Sequence, residues 1–284
     1  MIFLLPLWNR TDYYMLKNES TLVSSEEIVS RATGGKKLPG PLMRRARKLL
    51  HEDDFNEYFT TDKLGYEFAE GFLEHIGVTC EVIGAENIPA EGRFTFAFNH
   101  PYGMLDAIQS LAYLGRKYDG NIVLPANDLM MIFKQEQEYF VPVNKIGGQA
   151  RELGRLLDEA FESARQMLIF PAGGCSRKID GIIQDYPWTK TFIAKSRKAM
   201  RDIIPVWFSG CNSKRFYRID WWFTKLHIKF NLAMFTLASE LFKQSGNHFK
   251  MVFGKPIPWQ TFTQERKDLE WAAWVREKVY ELKQ

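Results

Sequence analysis

The chain has 284 residues, of which 45% are hydrophobic and 25% are charged, with a formal net charge of +4. These values are typical of a globular protein, and they exclude wholesale disorder, a collagen-like repeat and a disulfide scaffold. Aromatic residues make up 14% of the chain, yet no apolar stretch reaches the ~20 residues that a membrane span needs. The sequence therefore predicts one large α/β domain with an appendage, without a span or a signal peptide.

Residues 1–78 differ from the rest because they contain few strand-like runs and several charged, helix-forming segments. Ser24 and Glu27 have the spacing of a capping box ahead of a short helix. Further on, Arg44 and Arg45 begin a compact cationic block that is interleaved with leucines. Such a block is either a solvated helix face or a site of attraction to an anionic membrane surface. We predict an N-terminal helical, membrane-associating segment over 1–78, with Arg44 and Arg45 as membrane contacts.

From residue 79 onward, strand-like runs alternate with helix-like runs. The predicted strands are Cys80–Ile83, Phe94–Phe98, Ile122–Leu124, Tyr139–Val143, Met167–Phe170, Ile203–Phe208 and Phe249–Phe253. Apolar residues recur at helical spacing over 148–165, and a terminal helix is expected over Gln264–Leu282. This alternation predicts an α/β domain over 79–284, with a sheet covered by helices.

The most informative segment follows the predicted strand Phe94–Phe98, at the position where α/β sheets place their ligands. It contains His100 and, six residues later, Asp106. The bends expected at Pro101 and Gly103 let the carboxylate turn back toward the imidazole. A carboxylate on one ring nitrogen fixes the tautomer and leaves the other nitrogen free to act as a general base. Taken alone, this spacing is as typical of a structural pair as of a catalytic one.

The order of the blocks along the chain carries more information than any single block. After the His-Asp segment come Phe140–Asn144, Phe170–Arg177 and Ile204–Val206, each at or after a predicted strand. This order resembles the glycerolipid acyltransferase superfamily, of the lysophosphatidic-acid acyltransferase type. It is most similar to the bacterial hemolysin-like branch, which includes acyltransferases that complete ornithine and glycine lipids. The resemblance covers residues 79–258 and implies a mixed sheet flanked by helices.

The resemblance also implies a role for each block. His100 would take the proton from an acceptor hydroxyl and Asp106 would orient it, after which the hydroxyl attacks the thioester of an acyl carrier. The carrier would be acyl carrier protein or coenzyme A, with the acyl thioester as co-substrate and with neither a cofactor nor a metal. The acceptor-binding positions implied by the second and third blocks are Asn144, Lys145, Gly173, Gly174, Ser176 and Arg177.

Two blocks depart from the superfamily pattern. The third block usually carries a Glu, but the corresponding positions here are Ala172 and Gly174. The second block usually contains an Arg that binds the phosphate of lysophosphatidate, whereas this chain has Asn144 and Lys145. Lys presents a point charge rather than the bidentate fork of Arg. These departures favour a lyso-amino-acid lipid, such as a glycine or ornithine lipid, as the acceptor, and the loss of the Glu leaves a weakened activity open.

A dense group of aromatic residues lies between Phe216 and Phe242, interleaved with lysines and arginines. Trp and Tyr favour the boundary between water and acyl chains, and neighbouring cations favour anionic head groups. The alternative is that the rings pack the core of the second half of the chain. For Trp221 and Trp222 a surface position is favoured, because successive residues of a strand point to opposite faces. We therefore predict Trp221, Trp222 and Phe223 as membrane contacts of a peripheral enzyme on the cytoplasmic face of the inner membrane.

Two alternative functions stay open. A lysophosphatidate or lysophospholipid acyltransferase would have the same fold and another acceptor, and a non-catalytic lipid-binding protein would keep the scaffold without the chemistry. Nucleic-acid binding is disfavoured because 34 acidic residues offset the 38 basic ones and the sequence contains no recognised motif. It also lacks a Gly-x-Ser-x-Gly elbow and zinc-ligand spacing. Cys80, Cys175 and Cys211 are expected to be reduced thiols of a cytoplasmic protein.

Overall fold

The computed structural model describes residues 22–33, 35–127, 130, 133–142, 150–226 and 232–283. Its α-helices are α1 (Ser25–Thr33), α2 (Gly40–Leu50), α3 (Glu52–Phe59), α4 (Gly65–His75), α5 (Leu105–Lys117), α6 (Ala150–Glu162), α7 (Thr191–Lys198), α8 (Lys214–Lys225), α9 (Leu232–Phe242) and α10 (Asp268–Glu281). Short 3₁₀ turns occur at Ala85–Asn87, Lys134–Tyr139 and Trp259–Thr261.

Seven strands form one mixed sheet, and two more form a hairpin. The strands are β1 (Thr79–Ile83), β2 (Phe94–Phe98), β3 (Ile122–Ala126), β4 (Phe140–Pro142), β5 (Gln166–Ile169), β6 (Arg177–Ile179), β7 (Ile182–Gln184), β8 (Asp202–Phe208) and β9 (His248–Phe253). The order in the main sheet is β1-β9-β8-β2-β5-β3-β4. All neighbours are parallel except β8 and β9, and β6 pairs with β7 in the separate hairpin. This architecture confirms the predicted fold class.

The central strand β2 explains why the core has two layers. All five of its residues are buried, which is typical of a strand inside a parallel sheet. Phe96 and Phe98 belong to an apolar cluster on one face, and Ala97 belongs to a second cluster on the other face. The same period of two appears in β8, where Ile204 faces the first cluster and Ile203 the second. Alternation of large and small residues along β2 therefore separates the two layers.

The N-terminal helices complete the first of these layers. Phe55 and Phe59 of α3, and Phe68 and Phe72 of α4, lie in the same buried cluster as Phe96 of the sheet. The helices predicted within 1–78 are thus present, and those of the described part pack on the sheet instead of standing apart as an appendage. Short helices gain most of their stability from packing an apolar face against other elements.

Some elements were not predicted. The hairpin β6–β7 turns at Asp180 and Gly181, whose φ values of 49° and 84° are those of a tight type I′ turn, for which Asp-Gly is a favoured pair. The helices α7 and α8 were also missed. The predicted strands agree with the observed ones to within one or two residues at their ends, which is the usual uncertainty of element boundaries.

Candidate active site

Three loops meet at the carboxyl ends of the central strands. Strand β2 lies between β5 and β8 and is parallel to both, so the segments that leave these strands emerge at one edge of the sheet. The backbone carbonyl of His100, after β2, accepts a hydrogen bond of 2.6 Å from the amide of Ser176, after β5. After β8, the side-chain amide of Asn212 donates to the carbonyl of Pro101 at 3.2 Å. The His-Asp segment and the third-block loop, residues 170–176, are therefore in direct contact.

His100 and Asp106 form a hydrogen-bonded pair at this edge. The distance between Nδ1 of His100 and Oδ2 of Asp106 is 2.8 Å. The side chain of Asp106 is fully buried in the first turn of α5, and that of His100 is 13% exposed. The amides of Gly103 and Ala107 donate to Oδ1 of Asp106 at 3.0 and 3.2 Å. Because amide donors and a helix N-terminus stabilise a carboxylate, Asp106 is suited to accept from Nδ1–H, which leaves Nε2 as the basic nitrogen of His100.

A tight turn at Gly103 makes this pair possible. Its φ is 90°, a conformation that glycine adopts without steric cost. A Cβ at this position would lie 3.1 Å from the Cβ of Cys175 and 3.3 Å from the side chain of Leu237. The turn therefore requires glycine both for its backbone conformation and for the close approach of the third-block loop and α9.

The imidazole of His100 is also held by an aromatic ring. Its centroid lies 4.2 Å from that of Phe170, and Phe170 stacks on Phe98, the last residue of β2, at 5.1 Å. The ring is thus contacted by Phe170 and hydrogen-bonded to Asp106. Holding a catalytic group in one geometry is a large part of what a site contributes to rate.

A buried carboxylate that the sequence analysis missed connects these loops. Asp185 is 1% exposed. Its Oδ1 accepts hydrogen bonds from the hydroxyl of Ser176 at 2.6 Å and from the backbone amide of His100 at 3.2 Å, and its Oδ2 accepts from the indole of Trp188 at 3.0 Å. No motif marks Asp185, since it lies 85 residues after His100. The Asp-Gly pair of the preceding hairpin could have predicted the turn between β6 and β7. It could not have predicted that Asp185 contacts His100.

The predicted acceptor-binding residues of the third block fall into two groups. Gly173 and Gly174 lie in an open part of the loop, where a Cβ built on either would meet none of the described residues within 4 Å. Ser176 and Arg177 are buried, and Nε of Arg177 donates to Oδ1 of Asp220 at 2.8 Å. The bonds of Ser176 and Arg177 show how both residues hold the loop, while contact of these four residues with a substrate stays a prediction.

The thiol nearest to the pair is unsuited to be a nucleophile. Cys175 precedes Ser176 in the third-block loop and is buried. Burial raises the pKa of the Cys175 thiol to about 11. The thiol is therefore protonated at neutral pH, and a protonated thiol is a poor nucleophile.

The second block, Phe140–Asn144, begins in an edge strand of the sheet. Strand β4 pairs in parallel with β3 and ends at Pro142. The predicted acceptor-binding residues Asn144 and Lys145 come next in the chain and lie outside the described residues.

This chain is similar to known enzymes along most of its length. The family model described as acyltransferase matches residues 25–284. The chain belongs to this acyltransferase family. A lyso-glycine lipid O-acyltransferase of Bacteroides thetaiotaomicron is 43% identical over 249 residues, which cover 87% of this chain and 92% of the relative. A lyso-glycine lipid O-acyltransferase of Phocaeicola vulgatus is 35% identical over 272 residues, which cover 94% and 98% of the two chains.

A solved structure is also similar to this acyltransferase. It is that of the 1-acyl-sn-glycerophosphate (LPA) acyltransferase PlsC from Thermotoga maritima, which matches with a TM-score of 0.48 and 14% identity and covers 95% of this chain and 93% of the other. The family match and the two curated relatives confirm the resemblance and the enzyme class predicted from the sequence.

The Trp pair of the acyltransferase lies on a helix, which corrects the strand assumed in the sequence analysis. Trp221 and Trp222 belong to α8 and are 52% and 54% exposed. Successive side chains of a helix point about 100° apart, so both rings reach solvent on one side of α8. Their centroids are 4.8 Å apart, and the ammonium group of Lys225 lies 4.7 Å from the Trp221 ring.

The other predicted membrane contacts are spread over two helices. Arg44 and Arg45 are exposed on α2, and Phe223 is partly exposed on α8. Phe216 and Tyr217, at the start of α8, are buried, so part of the aromatic group packs the core. Both α2 and α8 pack against α9. Within the described residues, none of the helices combines the length and the apolar character needed to cross a bilayer.

Proposed function

We propose that this acyltransferase moves a fatty acyl group from an acyl thioester to the hydroxyl of a lyso-glycine lipid, with His100 as the general base and Asp106 as the group that orients it. The observation that carries the proposal is the 2.8 Å hydrogen bond from Nδ1 of His100 to the fully buried Asp106. A base oriented in this way suits proton abstraction from an alcohol. The names of the two curated relatives support the acceptor.

The proposed reaction needs no covalent acyl-enzyme. Nε2 of His100 takes the hydroxyl proton while the acceptor oxygen forms a bond to the carbonyl carbon of the thioester. The tetrahedral intermediate then loses the thiolate as the C–S bond breaks, and the imidazolium returns the proton to the sulfur. Asp106 stabilises the imidazolium between these two steps. The donor is acyl carrier protein or coenzyme A carrying the acyl chain, and the proposed steps use no resident cofactor.

We assign the acceptor to the open side of the third-block loop. Gly173 and Gly174 leave space there, and Ser176 fixes the loop to the backbone of His100. The Glu that is usual in this block is replaced by Ala172 and Gly174, which leaves the loop without an acid at those positions. A glycine-lipid head group is itself a carboxylate, so a loop without that acid avoids like-charge repulsion.

A lyso-lipid acceptor is dissolved in a membrane, so the enzyme has to bind the membrane surface. Exposed Trp221 and Trp222, with Lys225 beside them, have the composition of an interfacial contact. Arg44 and Arg45 provide a second, cationic contact with anionic lipids. We propose that the protein is a peripheral enzyme on the cytoplasmic face of the inner membrane.

An acyl-transfer assay with the full chain tests the proposal. Acyl carrier protein thioester and acyl-CoA are compared as donors, and lyso-glycine lipid, lyso-ornithine lipid and lysophosphatidate as acceptors. We expect a diacyl glycine lipid as product and a loss of about 10²- to 10⁴-fold in rate for His100→Ala.

The matched control is His248→Ala, which removes an exposed histidine that bonds Thr79 at the far edge of the sheet and should leave the rate unchanged. Equal rates for wild type and His100→Ala would overturn the proposal. Binding of lyso-lipid without any acyl transfer would identify a non-catalytic lipid-binding protein instead.

A further inference from the structure

A groove lies between the two helices that carry the predicted membrane contacts. Its walls come from the end of α2, from α8 and from α9, and its volume is about 290 Å³. Small-molecule sites in proteins begin at about 300 Å³, so the groove has room for part of a ligand. We call it the α2–α9 groove.

The inner wall of the α2–α9 groove is apolar. Leu49 contributes from α2, Phe216 and Ile219 from α8, and Phe242 from α9. Phe242 stacks on the ring of His51 at 4.8 Å. Aliphatic and aromatic side chains of this kind suit an alkyl chain, because they make dispersion contacts with it and present no hydrogen-bonding groups.

The buried acid of the groove is already neutralised by the protein. Glu240 is 2% exposed. It accepts hydrogen bonds from the amide and the hydroxyl of Ser213 at 2.6 and 2.9 Å, and it forms an ion pair with Lys243. His51 in turn bonds Asp54 and Ser239. Among the residues that the structure describes, these acids leave the other cation of the groove without a carboxylate partner.

That cation is Arg215, which is exposed at the start of α8 and lines the groove. Among the described residues it has no carboxylate within ion-pair distance. A guanidinium at the rim of an apolar groove matches an amphiphile with an anionic head, since the fork of Arg pairs with a carboxylate or phosphate while the chain enters the apolar part.

The groove is connected to the loop edge through shared side chains. Phe216 lines the groove and lies under the guanidinium of Arg177, at 5.0 Å. Arg177 donates to the carbonyl of Cys175 at 2.8 Å, and Leu237 of α9 packs in one cluster with Cys175 and Phe216. A ligand in the groove is thus one layer of side chains away from the third-block loop.

We propose that the α2–α9 groove binds a single-chain lipid with an anionic head, with the chain against Ile219 and Phe242 and the head at Arg215. The groove lies between α2, which carries Arg44 and Arg45, and α8, which carries the Trp pair, so the ligand reaches it from the side proposed to face the membrane. On the function proposed above, this ligand is the lyso-lipid acceptor, which the groove holds by its carboxylate before the acceptor moves to the third-block loop.

Binding of N-dodecanoylglycine to the full chain tests the site without turnover, because this probe has no hydroxyl to acylate. Its neutral counterpart, N-dodecanoylglycinamide, has the same chain and lacks the charge. Arg215→Gln should raise the Kd for N-dodecanoylglycine about tenfold, because the variant lacks the cation. Its Kd for the glycinamide should stay within about twofold of the wild-type value. Ile219→Trp fills the groove and should raise the Kd for both probes about tenfold. Arg218→Gln, on the same helix and outside the groove lining, is the control and should bind as wild type.

Two results would overturn the site. The first is a folded Ile219→Trp protein that binds both probes like wild type, and the second is an Arg215→Gln protein that loses both probes equally. A diazirine-bearing N-acylglycine on the wild-type chain gives a check that needs no variant, with crosslinks expected on α8 and α9. Crosslinks confined to other elements would also overturn the site.

The outcome is separable from that of the proposed function. If wild type binds N-dodecanoylglycine through the groove but transfers no acyl group, the site stands and the function fails. If wild type makes diacyl glycine lipid and Ile219→Trp leaves the KM for lyso-lipid unchanged, the function stands and the groove is not its acceptor site. Tighter binding of dodecyl phosphate than of N-dodecanoylglycine would keep the anionic-lipid site and contradict the glycine-lipid acceptor.

Discussion

The loop edge around His100 and the phenylalanine cluster of the helical layer that covers the sheet treat buried acids in opposite ways. At the edge, Asp106 and Asp185 each accept several hydrogen bonds from amides, a hydroxyl or an indole. In the phenylalanine cluster, Glu136 is 4% exposed and lies among the rings of Phe55, Phe72 and neighbouring phenylalanines. Desolvation raises the pKa of Glu136 to about 8.

The difference shows which buried acids have a fixed orientation and which are only packed. Hydrogen-bond donors offset the cost of burying a carboxylate and fix its orientation, whereas apolar rings favour the neutral acid and leave its orientation free. Acids that orient a base belong to the first kind. Four experiments test this comparison, in order of decreasing expected effect.

Asp106→Asn should have the largest effect. An amide in place of the carboxylate loses the acceptor that fixes Nδ1–H of His100 and no longer stabilises the imidazolium, so we expect kcat to fall by about 10²- to 10⁴-fold. The KM for the donor should change little. Steady-state kinetics on a variant with a wild-type circular dichroism spectrum checks this, and a kcat near wild type would remove Asp106 from the mechanism.

Asp185→Asn should have the next largest effect, because Asp185 acts on the backbone of His100 and on Ser176 rather than on the ring. The amide would face the indole donor of Trp188, so we expect the free energy of unfolding to fall by about 1–3 kcal/mol. A shift of the His100 loop should lower kcat about 10²-fold. Ser176→Ala removes one donor and should give a smaller loss. Urea unfolding and kinetics measure both effects, and a stable, fully active Asp185→Asn protein would contradict a positioning role.

The Trp pair of α8 tests the helical layer. Changing both Trp221 and Trp222 to Ala removes exposed rings, so the free energy of unfolding should change by no more than about 0.5 kcal/mol. Binding to vesicles that contain anionic lipid should weaken about tenfold. Sedimentation with vesicles measures the binding, with Phe216→Ala as the buried control that should lose stability instead. Unchanged vesicle binding of the double variant would exclude the pair as a membrane contact.

Glu136→Gln should have the smallest effect on function, and the sign of its effect on stability depends on pH. The folded protein keeps a proton on Glu136 up to about pH 8, while the unfolded chain releases it near the ordinary value, so the stability of the wild type falls as pH rises between these values. The slope is at most about 1.4 kcal/mol per pH unit. Urea unfolding at pH 6 and pH 8 should show a smaller loss for the variant than for the wild type. An equal loss in both proteins would show that Glu136 is not the titrating group.

The sequence by itself determined the elements and the local pair. The alternation of Phe94–Phe98 predicted the central strand because the period of two is a property of the backbone. His100 and Asp106 were predictable as a pair because they lie six residues apart across one turn, whose bend requires Gly103. The order of the blocks along the chain identified the family, because each block lies at or after a strand and this order can be read directly from the sequence.

Tertiary structure alone decided what lies far apart in the chain. Asp185 reaches His100 only because the hairpin packs beside the loop edge, and Leu49 and Phe216 line one groove only because three helices pack together. The Trp pair was wrongly placed on a strand although its segment has a helical apolar period and an N-cap at Ser213, and the helix that carries it packs on α9. Local sequence patterns reflect the preferences of the backbone. Contacts between distant residues depend on which apolar faces pack together, and no short stretch of sequence contains that information.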